Sequence, residues 1–413
     1  MAAVKIINGA DDRAIQQLIA QPARASASIA SRVSRIVVDV RRRGDRAVLE
    51  YARELDGLTA ALEIGRDEIE AGVRSTPPNV RRALRDAAIH IRKVARAQKP
   101  RPWSLLVVPG VVVEQRVTPL GRVGCYVPGG RFPLPSSLLM TAIPARVAGV
   151  GEVIAVCPRP EPVVLAAAAE AGVDRLFRVG GAQAIAAMAY GTDTIPRVDK
   201  IVGPGNRYVA EAKALVAQDC AIDFYAGPSE IVIISNAAPA AWIAADMIAQ
   251  AEHDPEARAI FITTRPLLAT AVLRVIEQRM PVRGPARTAL AARGALVVAT
   301  SREEAVSIAD RLSPEHLVCD DDAVAAQVRA GTALVGIWTA QAAGDYATGS
   351  NHVLPTSGAA RFRGGLSAAD FVRVSSVQRI TPAGLRRIGP TVITLAEAEG
   401  LTAHADSIRE RIR

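Results

Sequence analysis

A repeated pattern of strand, glycine turn and helix, running from about residue 120 to residue 312, limits the possible folds most strongly. In its first part, short apolar segments alternate with helical segments across the glycine turns Gly129-Gly130, Gly180-Gly181 and Gly203-Pro204-Gly205. In its second part, strands are predicted at 231–234, 259–263 and 295–298, with helices between them. Such alternation indicates βαβ units on a parallel sheet. The chain is therefore predicted to be an α/β protein with two similar lobes, an arrangement that often encloses a crevice for cofactor and substrate.

The segments outside this pattern are predicted to be mainly helical. Residues 11–98 have apolar positions at helical spacing, with Asp11-Asp12 as an N-cap and a new helix beginning at Thr76-Pro77-Pro78. Residues 101–118 are predicted to be extended, and 395–413 to form a helical tail. Half of the residues are hydrophobic but only 4% are aromatic, which favours helices packed on parallel strands over an aromatic-rich sandwich.

The formal net charge of +9 comes almost entirely from arginine, since the chain has only the lysines Lys5, Lys93, Lys99, Lys200 and Lys213. The densest basic stretch, residues 81–101, has an apolar helical pattern and lacks the interleaved aromatic side chains that stack on single-stranded nucleic acid. A solvated helix face is the preferred interpretation, and no nucleic-acid partner is expected. The positive charge could still attract an anionic cofactor or substrate.

The four cysteines show no CxxC spacing and are predicted to be buried free thiols in a reducing cytosol. A thiol nucleophile at Cys125 is the less favoured alternative. No signal-peptide pattern begins the sequence, and the longest apolar run, residues 105–113, is interrupted by Pro109-Gly110 and is too short to span a bilayer. A cytoplasmic protein without a membrane partner is expected.

Histidine is scarce, and most of its few positions lie in polar settings. Of the five histidines, His253, His316, His352 and His404 lie near carboxylates or amides, whereas His90 has no such setting. Histidine is the commonest metal ligand and the natural base near neutral pH. This distribution predicts one assembled site that contains a divalent metal.

Gln250 and His253 are three residues apart on a predicted helix, with Asp246 one turn earlier as a candidate partner. Alone, they could be an ordinary polar helix end. Together with Asp345 and His404 they form a credible nitrogen and oxygen ligand set for zinc or a similar ion, with coordination positions open for substrate.

Glu315-His316 is a candidate acid–base pair, because a carboxylate beside an imidazole suits proton transfer and water activation. The preceding Ser313-Pro314 is interpreted as a helix cap followed by proline at the first helical position. An ordinary surface pair is the alternative. The glycine turns could bring backbone amides to phosphate, but none matches the GxGxxG pattern, so plain turns between strand and helix remain possible.

The chain closely resembles the histidinol dehydrogenase family in eight segments that run in family order across nearly its whole length. They are Gly124-Cys125-Tyr126-Val127-Pro128-Gly129-Gly130, Gly180-Gly181-Ala182-Gln183-Ala184, Gly203-Pro204-Gly205-Asn206-Arg207-Tyr208-Val209, Ala226-Gly227-Pro228-Ser229-Glu230, Gln250-Ala251-Glu252-His253-Asp254, Ser313-Pro314-Glu315-His316-Leu317, Gly344-Asp345-Tyr346 with Asn351-His352-Val353-Leu354-Pro355-Thr356, and Leu401-Thr402-Ala403-His404.

The resemblance implies an enzyme that oxidises L-histidinol to L-histidine through bound L-histidinaldehyde, with two NAD⁺ and one Zn²⁺ per subunit. The implied zinc ligands are Gln250, His253, Asp345 and His404. The implied NAD contacts are Tyr126, Gln183 and Asn206. The implied substrate site consists of the zinc ligands together with Ser229, Glu315, His316, His352 and Glu399. In this reading His316 is the repeated base and Glu315 activates water.

The resemblance also implies two incomplete Rossmann-like lobes and an obligate homodimer whose C-terminal tails cross, so that Glu399 and His404 act in trans. The implied division is an N-terminal segment 1–22, a zinc and substrate domain 23–121 with 230–365, an NAD-binding domain 122–229 and a tail 366–413.

Related enzymes oxidise other small polar alcohols such as dihydroxypropane-sulfonate, and Arg361 and Arg363 could favour such an anion. Histidinol is preferred because Glu399 suits a cationic substrate. A basic nucleic-acid-binding protein and a metal-dependent hydrolase with Glu315 as base are the alternatives from other classes.

Overall fold

The first of three sheets is entirely parallel and contains strands from both the beginning and the second half of the chain. The computed structural model describes residues 4–20, 27–129, 132–224 and 227–413. The sheet has six strands in the order β1-β12-β11-β10-β13-β14. They are β1 (Lys5–Asn8), β10 (Glu230–Ile234), β11 (Arg258–Thr263), β12 (Gly294–Val298), β13 (His316–Cys319) and β14 (Thr332–Val335). The order reverses at β10, which pairs with both β11 and β13.

Helices cover both faces of this first sheet, as expected for a parallel sheet. Ala-rich and Ile-rich faces of three helices form one apolar cluster, and the faces of three others form a second cluster on the opposite side. These helices are α10 (Ala240–Ala251), α11 (Pro266–Arg279) and α12 (Ala286–Arg293) on one side, and α1 (Asp12–Ile19), α13 (Arg302–Leu312) and α14 (Asp322–Ala325) on the other.

The second sheet repeats this construction with six strands in the order β2-β7-β6-β5-β8-β9. All neighbours are parallel except β2 with β7. The strands are β2 (Glu63–Ile64), β5 (Arg122–Tyr126), β6 (Glu152–Val156), β7 (Arg175–Phe177), β8 (Lys200–Val202) and β9 (Ala221–Ile222). Its helices are α2 (Ala27–Arg43), α3 (Asp45–Tyr51) with a π-helical turn at Ala52–Asp56, α4 (Arg66–Ser75), α5 (Pro78–Gln98), α6 (Pro135–Ala148), α7 (Pro162–Ala171), α8 (Gly181–Tyr190) and α9 (Arg207–Val216).

A third, antiparallel sheet joins two distant parts of the chain in the order β15-β4-β3. Its strands are β3 (Trp103–Val108), β4 (Val111–Pro119) and β15 (Val372–Ile380). Two helices complete the C-terminal part, α16 (Pro382–Ala398) and α17 (Thr402–Ile412), which pack on each other. The remaining short elements are α15 (Gln341–Tyr346) and 3-10 turns at Ala359–Arg361 and Ala368–Phe371. Among the described helices, none combines the length and the apolar character that crossing a bilayer requires.

The predicted α/β fold with two parallel-sheet lobes is confirmed, as are the extended segment near 101–118 and the helix beginning at Pro78. Asp11 caps α1, since its carboxylate accepts from the Ala14 amide. The basic stretch lies on α5, whose buried face is Leu84, Ala88, Ile91 and Ala95, so most of its charged side chains face solvent. The strands β1, β2 and β15 were not predicted, because each is short or lies in a segment with few apolar residues.

One part of the predicted domain division is wrong. Residues 23–121 were grouped with 230–365, but α2 packs on α8 and α9, and α4 and α5 pack on α6 and α7. The apolar faces of these helices are therefore buried against the second sheet, which is the sheet of residues 122–229. Of the segment before residue 23, β1 belongs to the first sheet. Residues 21–26, Gly130 and Ala226 lie outside the described residues.

Candidate active site

The candidate catalytic pair lies where two neighbouring strands of the first sheet begin. Glu230 is the first residue of β10, and Glu315-His316 occurs at the start of β13, which pairs directly with β10. The predicted helix start at Ser313-Pro314 is wrong, because Ser313 ends α13 in a left-handed conformation with φ of 46°. Its backbone amide bonds to the carbonyl of Ala309 at 3.0 Å, so the chain leaves the helix and enters the strand.

Glu315 is buried and held from two sides. Its Oε2 accepts from Ser229 Oγ at 2.6 Å and from the Glu230 amide at 2.8 Å. Burial raises the pKa of this carboxyl, although nearby His316 and the two donors act in the opposite direction. Glu315 is thus a carboxyl that is held in one orientation and whose pKa lies above its ordinary value, which suits a group that takes up a proton.

His316 is also buried, and one of its ring nitrogens has no hydrogen-bond partner. Nδ1 lies 3.3 Å from the carbonyl oxygen of Glu230, so the tautomer with a proton on Nδ1 is favoured. Nε2 then carries the lone pair, and it lies 3.5 Å from Asp345 Oδ1 without a hydrogen bond. Burial lowers the pKa of His316, but the carboxylates of Glu315 and Asp345 outweigh it and raise that pKa. Nε2 is therefore a basic, oriented proton acceptor.

Gln250 lies at the end of α10 and points its amide at Ser229. Its Nε2 donates to Ser229 Oγ at 2.5 Å, while its Oε1 is buried and has no hydrogen-bond partner. His253 follows the helix instead of lying on it, because α10 ends at Ala251, and its ring is exposed. The prediction that both residues lie on one helix is therefore correct for Gln250 and wrong for His253.

Asp345 lies near the end of α15 and brings one more predicted residue, His352, to the site. Its carbonyl oxygen is 2.9 Å from His352 Nδ1, and its Oδ2 accepts from Gln341 at 2.5 Å. Burial raises the pKa of Asp345, but the fields of His316, His352 and His253 lower it below the usual range. Burial lowers the pKa of His352, whose Nε2 is 3.5 Å from Ser137 Oγ on α6. Asp345 therefore lies beside His316 and His352, with its pKa lowered by the imidazoles near it.

The residues present fit a divalent cation. A buried amide oxygen without a donor, such as Gln250 Oε1, is costly unless a cation or water satisfies it. Asp345 supplies a carboxylate and His253 an exposed imidazole, and these donor types suit zinc with open positions. Within the described ranges of one chain, no three His, Cys, Asp or Glu side chains gather closely enough to hold a metal ion. Of the predicted zinc ligands, His253, Asp345 and His404 are therefore not gathered into one group within a single described chain.

His404 and Glu399 lie on the C-terminal helices, apart from these residues. Glu399 caps α16 and His404 is in the first turn of α17, and both side chains are exposed. In the described part of the chain, neither side chain has a hydrogen bond or an ion pair with the other predicted site residues. The fold of one chain brings Ser229, Gln250, Glu315, His316, Asp345 and His352 together, but it does not bring Glu399 or His404 to them.

The glycine turns of the second sheet hold two of the predicted cofactor residues. Tyr126 ends β5, and its hydroxyl accepts from the Gly181 amide at 3.1 Å. Gln183, in the first turn of α8, donates to Asp56 Oδ2 at 3.0 Å and leaves its Oε1 buried without a partner. Asp56 also accepts from the Gly180 amide at 2.9 Å. Burial raises the pKa of Asp56, a residue that sequence reasoning did not identify.

Asn206 caps α9, and its Oδ1 accepts from the amides of Tyr208 at 3.0 Å and Val209 at 3.2 Å. A recess of about 280 Å³ opens nearby at the ends of β6 and β7, beside the Gly180 turn. Its walls include Arg159, Arg178 and Glu161, and Arg178 is paired with Glu68, so the recess carries charges of both signs. This edge of the second sheet is where open α/β sheets bind ligands.

Several other predicted roles do not agree with the structure. Among the described residues, the side chain of Asp246 has no hydrogen bond or ion pair with Gln250 or His253, and it faces a separate recess beside Trp242 and Asp320. The guanidinium of Arg361 bonds to Ser313 Oγ at 3.0 Å, and that of Arg363 pairs with Asp370 at 3.0 Å. Both arginines are occupied by protein partners, so they give no support to an anionic substrate.

The thiols are free and buried, as predicted. Burial raises the pKa of Cys125 to about 12, which removes the alternative of a thiol nucleophile there.

Sequence reasoning also missed Glu230, whose pKa is raised by burial to about 7 although Arg258 lies 3.3 Å away. It follows Ser229 in the chain, and only the pairing of β10 with β13 shows that it adjoins the catalytic pair.

Two parallel-sheet lobes, with glycine turns on one and a buried Glu-His pair on the other, define an α/β enzyme that uses acid–base chemistry. The family model of histidinol dehydrogenase matches residues 19–412. The histidinol dehydrogenase of Aromatoleum aromaticum is 47% identical, with 96% of this chain and 94% of that protein covered. That of Geobacter sulfurreducens is 46% identical, with 92% of each covered. The crystal structure of histidinol dehydrogenase from Elizabethkingia anophelis has a TM-score of 0.94 and 31% identity, and covers 99% of this chain and 98% of that chain. The chain belongs to the histidinol dehydrogenase family.

Proposed function

We propose that this chain oxidises L-histidinol to L-histidine in two successive steps, as the last reaction of histidine biosynthesis. The observation that carries the proposal is the buried pair Glu315 and His316, which meets Gln250 and Asp345 at the edge of the first sheet. Both steps need a proton acceptor beside the carbon that is oxidised, and the second also needs an activated water. His316 supplies the proton acceptor, and Glu315 supplies the group that activates water.

Gln250, His253, Asp345 and His404 would hold one zinc ion per subunit. Support comes from the unpartnered Gln250 Oε1 and from the lowered pKa of Asp345. When bound, zinc supplies a positive charge that anchors the amino and imidazole nitrogens of the substrate. Ser229 keeps Gln250 oriented, since it accepts the amide hydrogen and leaves the oxygen free.

Tyr126, Gln183 and Asn206 would contact NAD⁺ at the glycine turns of the second sheet. Two features support this assignment, the Gln183 Oε1 atom that is buried without a hydrogen-bond partner and the backbone amides of the glycine turns. When bound, NAD⁺ accepts a hydride from the substrate carbon. His352 bonds to the Asp345 carbonyl in one lobe and lies 3.5 Å from Ser137 in the other, so it forms a wall between the proposed substrate and cofactor regions.

His316 acts as base in both oxidations. In the first, Nε2 takes the hydroxyl proton while the C–H electron pair leaves as hydride, which converts the alcohol to an aldehyde. Nδ1 keeps its bond to the Glu230 carbonyl and stabilises the imidazolium orientation. The aldehyde stays bound, so a reactive intermediate is protected from solvent.

Glu315 activates the water that attacks the aldehyde. Its carboxylate takes one proton from water as the water oxygen bonds to the carbonyl carbon, and the carbonyl oxygen takes the proton that His316 gained in the first oxidation, which gives the aldehyde hydrate and a neutral His316. His316 then removes a hydroxyl proton from the hydrate while the second hydride leaves, and the carboxylic acid so formed loses a proton to give the carboxylate. Overall, one alcohol, one water and two NAD⁺ give one carboxylate, two NADH and three protons.

The enzyme would be a homodimer in the cytoplasm. Exposure of Glu399 and His404 on the C-terminal helices supports a tail that completes the site of a second copy of the chain. There Glu399 would face the cationic end of the substrate. The buried, unpaired cysteines support a reducing compartment.

An assay of NADH formation tests the proposal. L-Histidinol and dihydroxypropane-sulfonate are supplied separately with NAD⁺, before chelation, after chelation and after zinc is restored. We expect two NADH per histidinol, loss of turnover on chelation and recovery with zinc, with little turnover of the sulfonate. Absence of NADH from histidinol would overturn the proposed function.

A further inference from the structure

Lys213 is one of only five lysines, and its whole side chain is buried inside the second lobe. It pairs with Asp223, and the two side chains are 2% and 1% exposed, which makes this the most deeply buried ion pair of the described residues. Removal of two charges from water costs several kcal/mol per ion, and an apolar pair of similar size is often equally stable. Stability alone therefore does not explain why charges occupy these two positions.

The pair holds both polar groups of a single glycine. Lys213 Nζ donates to the carbonyl oxygen of Gly203 at 2.7 Å, and Asp223 Oδ2 accepts from the Gly203 amide at 2.7 Å. Lys213 also bonds to Asp223 Oδ1, so the three residues form a closed set of contacts. The orientation of the Gly203 peptide units is thereby fixed from the inside of the protein.

Gly203 needs such support because of its position. Its φ of +116° lies in the region that side chains rarely adopt, and a Cβ here would lie 2.2 Å from the carbonyl oxygen of Tyr126. The turn therefore rests on the end of β5 and leads directly to Asn206, the cap of α9. Tyr126 and Asn206 are two of the proposed NAD contacts. Gly203 lies against the carbonyl oxygen of Tyr126, and Asn206 follows Gly203 by three residues.

Asp223 also joins this turn to the loop that follows Thr356. Its carbonyl oxygen accepts from Arg363, whose guanidinium lies 4.9 Å from the centre of the Phe224 ring and 3.0 Å from Asp370 Oδ1. At the start of that loop, Thr356 Oγ1 accepts a hydrogen bond of 2.5 Å from the amide of Gly227. Gly227 lies two residues before Ser229. The ion pair is thus connected to the Gly203 turn on one side. On the other side it is connected to the segment that leads to Ser229, the hydrogen-bond partner of Glu315.

We propose that Lys213 and Asp223 are positioning residues that hold the Gly203 turn in the shape that receives the dinucleotide, an inference that rests on the proposed function. The pair acts through the Gly203 backbone and touches neither substrate nor cofactor itself. Apolar replacements can fill its volume but can neither donate to the Gly203 carbonyl nor accept from its amide. Loss of the pair should therefore affect cofactor binding more than folding.

The test compares the intact enzyme with Lys213→Met/Asp223→Leu. The matched control is Arg175→Met/Glu63→Leu, which removes a bidentate ion pair of the same lobe with two bonds of 2.7 Å. We expect the KM for NAD⁺ to rise roughly tenfold or more in the first variant, with the KM for L-histidinol at saturating NAD⁺ within about twofold. The control should leave both within about twofold.

Hydrogen exchange of the amides of Gly203, Gly205 and Asn206, measured without ligands, gives a readout independent of turnover. Faster exchange there in the first variant, but not in the control, is expected if the pair positions the turn. Should the double variant fail to fold, Asp223→Asn keeps the side-chain volume and is expected to show the same effects in weaker form. Wild-type enzyme that makes no NADH contradicts only the proposed function. Unchanged exchange together with an unchanged KM for NAD⁺ overturns the positioning role.

Discussion

Ser229 Oγ lies 2.6 Å from Glu315 Oε2, and this hydrogen bond connects the loop before β10 with the strand β13. The same hydroxyl accepts from Gln250 Nε2 at 2.5 Å. One small side chain therefore orients both a proposed base and a proposed zinc ligand. Because Ser229 has a single hydroxyl proton, its donation to Glu315 also determines which atom of Gln250 faces it, and leaves Oε1 free.

Replacement Ser229→Ala is expected to weaken zinc binding and catalysis together. Loss of a group that orients a metal ligand commonly costs roughly 10-fold to 100-fold in metal affinity or activity. Zinc affinity is measured by competition with a chelator, and kcat/KM by NADH formation. Ser235→Ala is the matched control, since that hydroxyl bonds to Asp320 at the other edge of the same sheet. Unchanged zinc affinity in Ser229→Ala would contradict the orienting role.

Replacement His316→Asn is expected to lower kcat by roughly 10²-fold to 10⁴-fold, the usual contribution of a general base. Asparagine can keep the contact with the Glu230 carbonyl but has no basic nitrogen at the position of Nε2. Zinc content should remain at the wild-type level, which metal analysis checks. His90→Asn serves as the control, because His90 bonds only to the Ala347 carbonyl at 2.6 Å. Near-wild-type turnover of His316→Asn would show that another group is the base.

Replacement Glu315→Gln should slow the second oxidation more than the first. The amide keeps the size of the side chain but cannot take a proton from water. Rapid mixing with L-histidinol should yield the first NADH at a rate close to that of wild type, followed by a second NADH slowed by roughly tenfold or more. L-Histidinaldehyde supplied directly should show the same slow step. Equal slowing of both steps would assign Glu315 a different role.

A mixing experiment tests whether His404 acts on the site of a second copy. His404→Ala and His316→Asn are each expected to be nearly inactive. If His404 acts in trans, a mixed dimer of the two variants contains one site with both histidines intact. Random reassortment should then restore about a quarter of wild-type activity, because half of the dimers are mixed. Absence of recovery, despite mixed dimers detected by mass spectrometry, would place His404 in the site of its own chain.

Asp246 should make stability depend on pH. The described residues provide it with no hydrogen bond or ion pair, and burial raises its pKa to about 6. Because the unfolded-state pKa is about 3.9, ionisation favours the unfolded chain, and stability falls as pH rises from about 4 to about 6. Asp246→Asn should therefore raise the free energy of unfolding by about 1–2 kcal/mol at pH 8 and by little near pH 4. Thermal unfolding between these pH values measures the difference. The control is Asp193→Asn at an exposed position, and a pH-independent gain in Asp246→Asn would contradict the argument.

Local sequence determined much of this protein. Apolar runs separated by glycine turns predicted both parallel sheets, because fully buried parallel strands must be continuously apolar and their turns need backbone freedom. The rarity of histidine also indicated a single site, and Glu315, His316, Gln250 and Asp345 do lie together. These signals are short-range, so they can be recognised without knowledge of the fold.

Only the tertiary structure decided which segments meet. Residues 27–98 pack on the second sheet because their helices fit its apolar faces, and β15 pairs with β4 across more than 250 residues. The pairing of β10 with β13 places Glu230 beside His316, and the burial of Lys213 on α9 brings it to Asp223 behind the Gly203 turn. Sequence determined which side chains could act as base, ligand or cap. Strand order determined which of them became neighbours, because a hydrogen-bonded sheet brings residues together by register and not by their separation along the chain.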